Sequence, residues 1–148
     1  MKNSSLFIIV WFGFGMFSCQ QQSQDILFHK SHEAKKSEAP FSDAVEANGF
    51  LFLSGQVGMD HTSRTLVKGG ITAETIQCIE NIKAVLKQHN SSLDRVIKCT
   101  VILKNIEDFS AFNEVYKTYF TNKPARTTFA ASGLAVGAQI EIEVIAFK

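Results

Sequence analysis

The sequence predicts an α+β fold, with two helices packed on one face of a mainly antiparallel sheet. Three observations point there. Asn48-Gly49 separates two extended runs, Ala44 to Ala47 and Phe50 to Ser54, and that dipeptide closes two-residue hairpins. Two stretches repeat apolar residues at helical spacing, one from Thr72 to His89 and one from Asn105 to Phe120. Val96 to Leu103 and Ile140 to Val144 instead alternate, as half-buried strands do.

Taken in order, the elements read ββ(β)αβαββ. Gly55 ends the second strand, Met59 to Thr65 holds turn residues, and Leu66-Val67 forms a short third strand. After the break at Gly69-Gly70, Thr72 caps the first helix and Glu74 suits the positive end of its dipole. Ile76, Ile79, Ile82 and Leu86 mark its apolar face, and Asn90-Ser91-Ser92 stops it. The β-branched run that follows places Ile97, Cys99, Val101 and Leu103 on one side. Asn105 caps the second helix, and Phe109, Phe112, Val115, Tyr116, Tyr119 and Phe120 crowd one flank of it. Pro124 forbids its continuation. Arg126 to Ala131 and the run from Ile140 then close the chain, read as a hairpin-like pair around the break at Gly133 to Gly137. Phe50 and Phe52 lie on one side of their strand and Leu51 and Leu53 on the other, so both sides are apolar. Helices on one face cannot hide both, and the second face is read as meeting another subunit.

Composition excludes several classes of function. The chain has 148 residues, 45% of them hydrophobic, and thirteen Phe, enough for one domain with a real core. Net charge is +1 and no basic stripe interleaves with aromatics, which argues against nucleic acid as the main ligand. The three Cys show no metal-ligand spacing, and Gly69-Gly70 does not lead into a phosphate loop. No metal or cofactor is expected. Cys78 and Cys99 read as small buried hydrophobes, with a disulfide between them left open.

The start of the chain is organised differently. Lys2 precedes a run of apolar residues and Gly from Leu6 to Phe17, too short to span a bilayer and fitting a signal peptide over residues 1–18. Ser18-Cys19 followed by Gln20 to Gln24 resembles the lipobox of bacterial lipoproteins, which implies acylation of Cys19 and a place in the cell envelope, held to the membrane by lipid. An ordinary secretory signal with a coincidental Cys is the competing reading. Gln20 to Glu38, including His29 and His32, reads as a polar tether reaching roughly 25 Å, so that residues 19–38 join the anchor to a domain at 39–148.

Chemistry concentrates near the C-terminus. Arg126 carries the side chain best shaped to grip a carboxylate through paired hydrogen bonds, and Glu141 is a carboxylate fit to hold or activate water. Spacing alone leaves two arrangements open, the two on one wall of a cleft or the two paired on a sheet surface. Ser54 has no His/Asp constellation nearby in sequence, which argues against a serine hydrolase.

Pro40-Phe41, Ser54-Gly55-Gln56, Asn81-Ile82-Lys83, Val101 to Asn113, Pro124-Ala125-Arg126 and Ile140-Glu141-Ile142-Glu143 together resemble the Rid/YjgF reactive-intermediate deaminase family, over Ala39 to Lys148. The resemblance implies a chorismate-mutase-like fold, a homotrimer with clefts between subunits, and hydrolysis of enamines and imines of 2-keto acids, such as 2-aminoacrylate, to keto acid and ammonia. It implies that Arg126 binds the substrate carboxylate and Glu141 positions the attacking water, with Ser54, Gly55 and Asn113 lining the cleft. Two positions depart. Phe41 stands where the family often has Tyr, and Thr128 where it often has Cys, although the main chain at Thr128 keeps its substrate contacts. An imine carbon is already electrophilic, so orientation, water placement and proton transfer suffice. A non-catalytic module binding a small carboxylate, and a plain trimeric interaction domain, are the alternatives.

Overall fold

A computed structural model of the protein describes residues 25–31, 33, 36 and 38–148. The signal-like segment 1–18, Cys19 and His32 lie outside the described residues. The chain forms β1 (Leu27–His29), β2 (Ala44–Ala47), β3 (Phe50–Leu53), β4 (Gln56–Val57), β5 (Met59–Asp60), β6 (Thr65–Leu66), α1 (Gly70–Gln88), β7 (Val96–Leu103), α2 (Phe109–Tyr119), β8 (Ala125–Ala130) and β9 (Ile140–Phe147). Across the main sheet the order is β1-β2-β3-β9-β7-β8, and β4 also pairs with β9. Every pairing is antiparallel except β7 with β8.

The hairpin read from Asn48-Gly49 is present, because both residues adopt the positive φ that such a turn needs, 51° and 78°. One buried cluster joins Ile79, Ile82 and Leu86 of α1, Phe112 and Tyr116 of α2, and Leu51, Cys99, Val101 and Ile142 of the sheet. The opposite sheet face is open and sets apolar rows beside Lys98, Thr100, Glu141 and Glu143. Register aligns Phe28, Val45, Phe52 and Ile145 in one row across four strands, and Phe129, Ile102, Glu141 and Val57 in another. Phe28, Phe52 and Phe129 are exposed there, which agrees with the two-sided strand read from Phe50 to Leu53.

Several readings are corrected. The two closing strands do not form a hairpin-like pair. β7 lies between them, parallel to β8 and antiparallel to β9. The stretch read as a tether contributes a strand, since Leu27–His29 pairs with β2. The ordered sheet therefore starts before residue 39. His29 is half-buried rather than solvated, with Nε2 3.2 Å from Glu46 and its ring 4.3 Å from that of His89. The turn region after Gly55 holds β4 and the small β5–β6 ladder, whose turn is closed by Asp60 accepting from the backbone of Thr62 and Ser63. α1 begins at Gly70 with Gly69 before it and no side-chain cap, so Thr72 lies inside the helix. Glu74 is buried and accepts a hydrogen bond from the Gln139 backbone at 2.8 Å. Ile76 is exposed, and Thr75 and Cys78 take the inner face instead. A bulge between Val96 and Lys98 shifts register, burying Val96 and turning Ile97 outward. Asn105 makes no side-chain cap, and a short 3-10 turn, Ile106–Asp108, leads into α2. The reading of Cys78 and Cys99 as small buried groups stands, and the disulfide left open between them is not formed.

Candidate functional site

Arg126 is the second residue of β8, a sheet edge. Its neighbour across β7 is Cys99, which faces the helices, so the guanidinium emerges on the helix-covered side. There α2 cradles it. The guanidinium carbon lies 4.5 Å from the Tyr116 ring centre, 5.1 Å from Phe112 and 5.6 Å from Phe109. Such stacking holds the planar group flat while leaving its edge N–H groups free to bond. One of them, Nη1–H, donates to Asn113 Oδ1 at 2.8 Å. Among the described residues no carboxylate pairs with Arg126. The group borders a recess of about 550 Å³ with Asn113, Tyr116, Lys123 and Pro124 on its walls. Burial raises the Tyr116 phenol well above its ordinary value and pushes the Cys99 thiol up to about 11, so both stay neutral beside the cation.

Glu141 is the second residue of β9. It stands opposite Ile102, three positions from Cys99, and so projects from the other sheet face. A separate recess of about 290 Å³ opens beside it, lined by Phe41, Gly55, Val57, Met59 and Val136 among others. Desolvation by these apolar neighbours, then repulsion from Glu143, holds the Glu141 carboxyl above the usual carboxylate range. Gly55 presses close. A Cβ at that position would lie 2.8 Å from Glu141 Cδ and 2.9 Å from its Cγ. The absent side chain is what lets the carboxylate lie where it does.

The remaining sequence-read positions divide between these places. Phe41 is 55% exposed and borders the Glu141 recess. It also borders a shallower groove with Phe28 and Ser54. The Ser54 hydroxyl donates to the Ser42 carbonyl at 2.6 Å, which leaves its oxygen able to accept only. Asn113 belongs to the Arg126 recess. Thr128 follows Arg126 on the same strand face, and its hydroxyl oxygen is buried without a partner. Neither arrangement left open by the spacing is realised: one copy of the chain sets Arg126 and Glu141 neither on one wall nor in an ion pair.

Two supports were given no role by the sequence, although Asn81 stands in one of the motifs that carry the resemblance. Asn81, on the inner face of α1, donates to the carbonyls of Val57 and Met59 at 3.0 and 2.9 Å and accepts from Gln77 at 2.8 Å. It pins the β4–β5 backbone that floors the Glu141 recess. A polar residue one turn after buried Cys78, at a core-facing position, was the available signal. Glu33 takes contacts from Lys36 at 3.0 Å, His61 at 2.9 Å and Arg64 at 3.2 Å. No local pattern announces that cluster, since its members come from separate loops.

The sequence and the fold match known proteins. Residues 31–148 match the family described as Endoribonuclease L-PSP, and the chain belongs to that family, in which Rid and YjgF proteins fall. It is similar to a RutC family protein of Pyrococcus horikoshii, 44% identical over 126 residues that cover 84% of this chain and 98% of that one. It is likewise similar to the human 2-iminobutanoate/2-iminopropanoate deaminase, 41% identical over 110 residues, covering 74% and 80%. Among solved structures, a Rid-family protein of Yersinia pestis shares 36% identity with a TM-score of 0.78, covering 84% of this chain and all (100%) of that one.

Proposed function

We propose that the protein hydrolyses imines and enamines of 2-keto acids to the keto acid and ammonia, in clefts completed between copies of a homotrimer. The observation that carries this reading is Arg126: a half-buried guanidinium, held by Asn113 and three rings, that opens onto a void and pairs with no carboxylate among the described residues, since Glu114 on the same wall is taken by Lys117. That arrangement suits a ligand's carboxylate. The human relative's name supports an imine as that ligand.

Arg126 sits on an edge strand and Glu141 on the open face, so the reading sets Arg126 of one copy against the Glu141 recess of the next. The exposed apolar rows supply the contact surface. The substrate carboxylate binds Arg126. Glu141, its basicity raised by burial, orients a water and takes its proton as the oxygen bonds to the imine carbon. The C–N π pair becomes a lone pair on nitrogen, which takes that proton back from Glu141 to give the carbinolamine. Glu141 then accepts the hydroxyl proton and passes it to the amine as the C–N bond breaks, releasing ammonia and leaving the carbonyl. An enamine first gains a proton at its terminal carbon and loses one from nitrogen, giving the imine. Asn113 fixes the guanidinium, Gly55 makes room for Glu141, Phe41 and Ser54 border the cleft, and the Thr128 backbone contacts substrate. Tethering of the domain to an envelope membrane through an acylated Cys19 belongs to the same reading and is tested by mass spectrometry of the native N-terminus.

The enzymatic test generates imines with an amino-acid oxidase beside the purified protein and follows ammonia release. Acceleration over spontaneous hydrolysis, lost in Arg126→Ala, is the expected result. Keto-acid binding without any acceleration would replace the hydrolase with a carboxylate-binding module.

A further inference from the structure

The short turn that leads into β9 contains a residue in an unusual state. Val136 has φ 53° and ψ 15°, the left-handed conformation that β-branched side chains avoid. Its side chain is also 65% exposed, and it borders the Glu141 recess. Gly137 follows at φ 79°, where a glycine meets no penalty. Strain and exposure both count against an apolar β-branched residue here, and neither is offset by burial in the core. Backbone strain of this kind gathers at binding sites, where the surroundings hold it in place.

The neighbours say what the side chain meets. Phe41, 55% exposed, borders the same recess, and Val57 stands beside Glu141 on the adjacent strand. These apolar groups flank the carboxylate that the proposed reaction uses to hold water. With the substrate carboxylate on Arg126 and its C2 carbon over Glu141, the third substituent of C2 is the group left to fill the apolar part of the recess. From this we infer that Val136 is a specificity-determining residue, which together with Phe41 selects imines whose side chain is a branched apolar group over those bearing only a methyl. This rests on the hydrolase reading for its chemistry, but not for the preference in binding.

The test compares imines generated from leucine and from alanine with the full chain, as wild type, Val136→Gly and Val136→Lys. Each lost methyl contact in an apolar pocket changes selectivity by about tenfold or more. The leucine-to-alanine ratio of kcat/KM should therefore favour leucine in the wild type and fall by at least about tenfold in both variants. Val136→Gly should also raise the melting temperature by relieving the turn, which separates selectivity from folding. Affinities for 4-methyl-2-oxopentanoate and pyruvate are measured alongside. Turnover of both imines with an unaltered ratio overturns the inference, and so does a Val136→Gly protein that loses its oligomer, since the residue is then an interface contact. Should the wild type accelerate neither imine yet bind the branched keto acid preferentially, with that preference lost in Val136→Gly, the hydrolase reading fails and the selectivity role of Val136 stands.

Discussion

Replacing Gly55 with Ala tests whether the placement of Glu141 matters, separately from whether the residue is present. Gly55 does not have the left-handed φ that would penalise Ala, so the backbone accepts the change. The new Cβ would lie 2.8 Å from Cδ and 2.9 Å from Cγ of Glu141, and nearer still to Oε1. Carbons pack at about 3.5–4.0 Å, so the carboxylate has to retreat by about 1 Å. A displacement of that size at a catalytic group costs about 100-fold in rate. The expected result is a fall in kcat/KM of that order for an oxidase-generated imine. Calorimetric affinity for 2-oxobutanoate should stay within a few-fold, because Arg126 lies on the other sheet face. Shortening the acid in the double variant Gly55→Ala/Glu141→Asp should return part of the loss. A Gly55→Ala protein with wild-type turnover would refute the claim that Glu141 works from the position seen here. So would equal losses of binding and rate, which would locate the damage outside Glu141.

Other consequences follow from the same geometry. Burial and then Glu143 raise the Glu141 pKa, and the base form is the active one, so the acid limb of the pH–rate profile should lie above the ordinary carboxylate range; Glu143→Gln should move it to lower pH. Because the folded pKa is raised, stability falls as pH climbs from the ordinary carboxylate value through the folded one. Glu141→Gln should then be at least as stable as wild type at neutral pH by thermal melting, yet inactive. Asn81→Leu strands the Val57 and Met59 carbonyls and should cost about 3 kcal/mol in urea unfolding; no loss would show that water satisfies them. Phe52→Glu places a charge in the open apolar row and should shift the oligomer to monomer by light scattering, with turnover falling alongside and the helix-side core intact.

Much of the fold was legible because local chemistry agreed with it. Asn48-Gly49 has one good use between apolar strands, and Ile140, Ile142 and Val144 alternate with polar partners as the buried and open faces of β9 require. Elsewhere the controlling interactions are distant in sequence. β8 and β9 are neighbours in the chain, and adjacency suggests a hairpin, but β8 follows α2 and joins β7 in parallel by a crossover. No property of Arg126 or Glu141 alone reveals that β7 divides them. The bulge at Val96 to Lys98 turns Ile97 outward although its side chain suits the core. Leu27–His29 is too short to show periodicity, and what holds it is the β2 edge. The site residue types, like the expectation of a second copy, were readable from the sequence and its resemblance, whereas the distribution of Arg126 and Glu141 over two faces came only from the sheet register.

The most direct measurement is a crystal structure of the assembled protein with 2-oxobutanoate. The expected density shows the ligand carboxylate bridged by two N–H groups of Arg126 from one copy, with Glu141 of a neighbouring copy at a water beside the ligand C2 carbon. A ligand bound elsewhere, or an Arg126 paired with a protein carboxylate across the interface, would contradict the account.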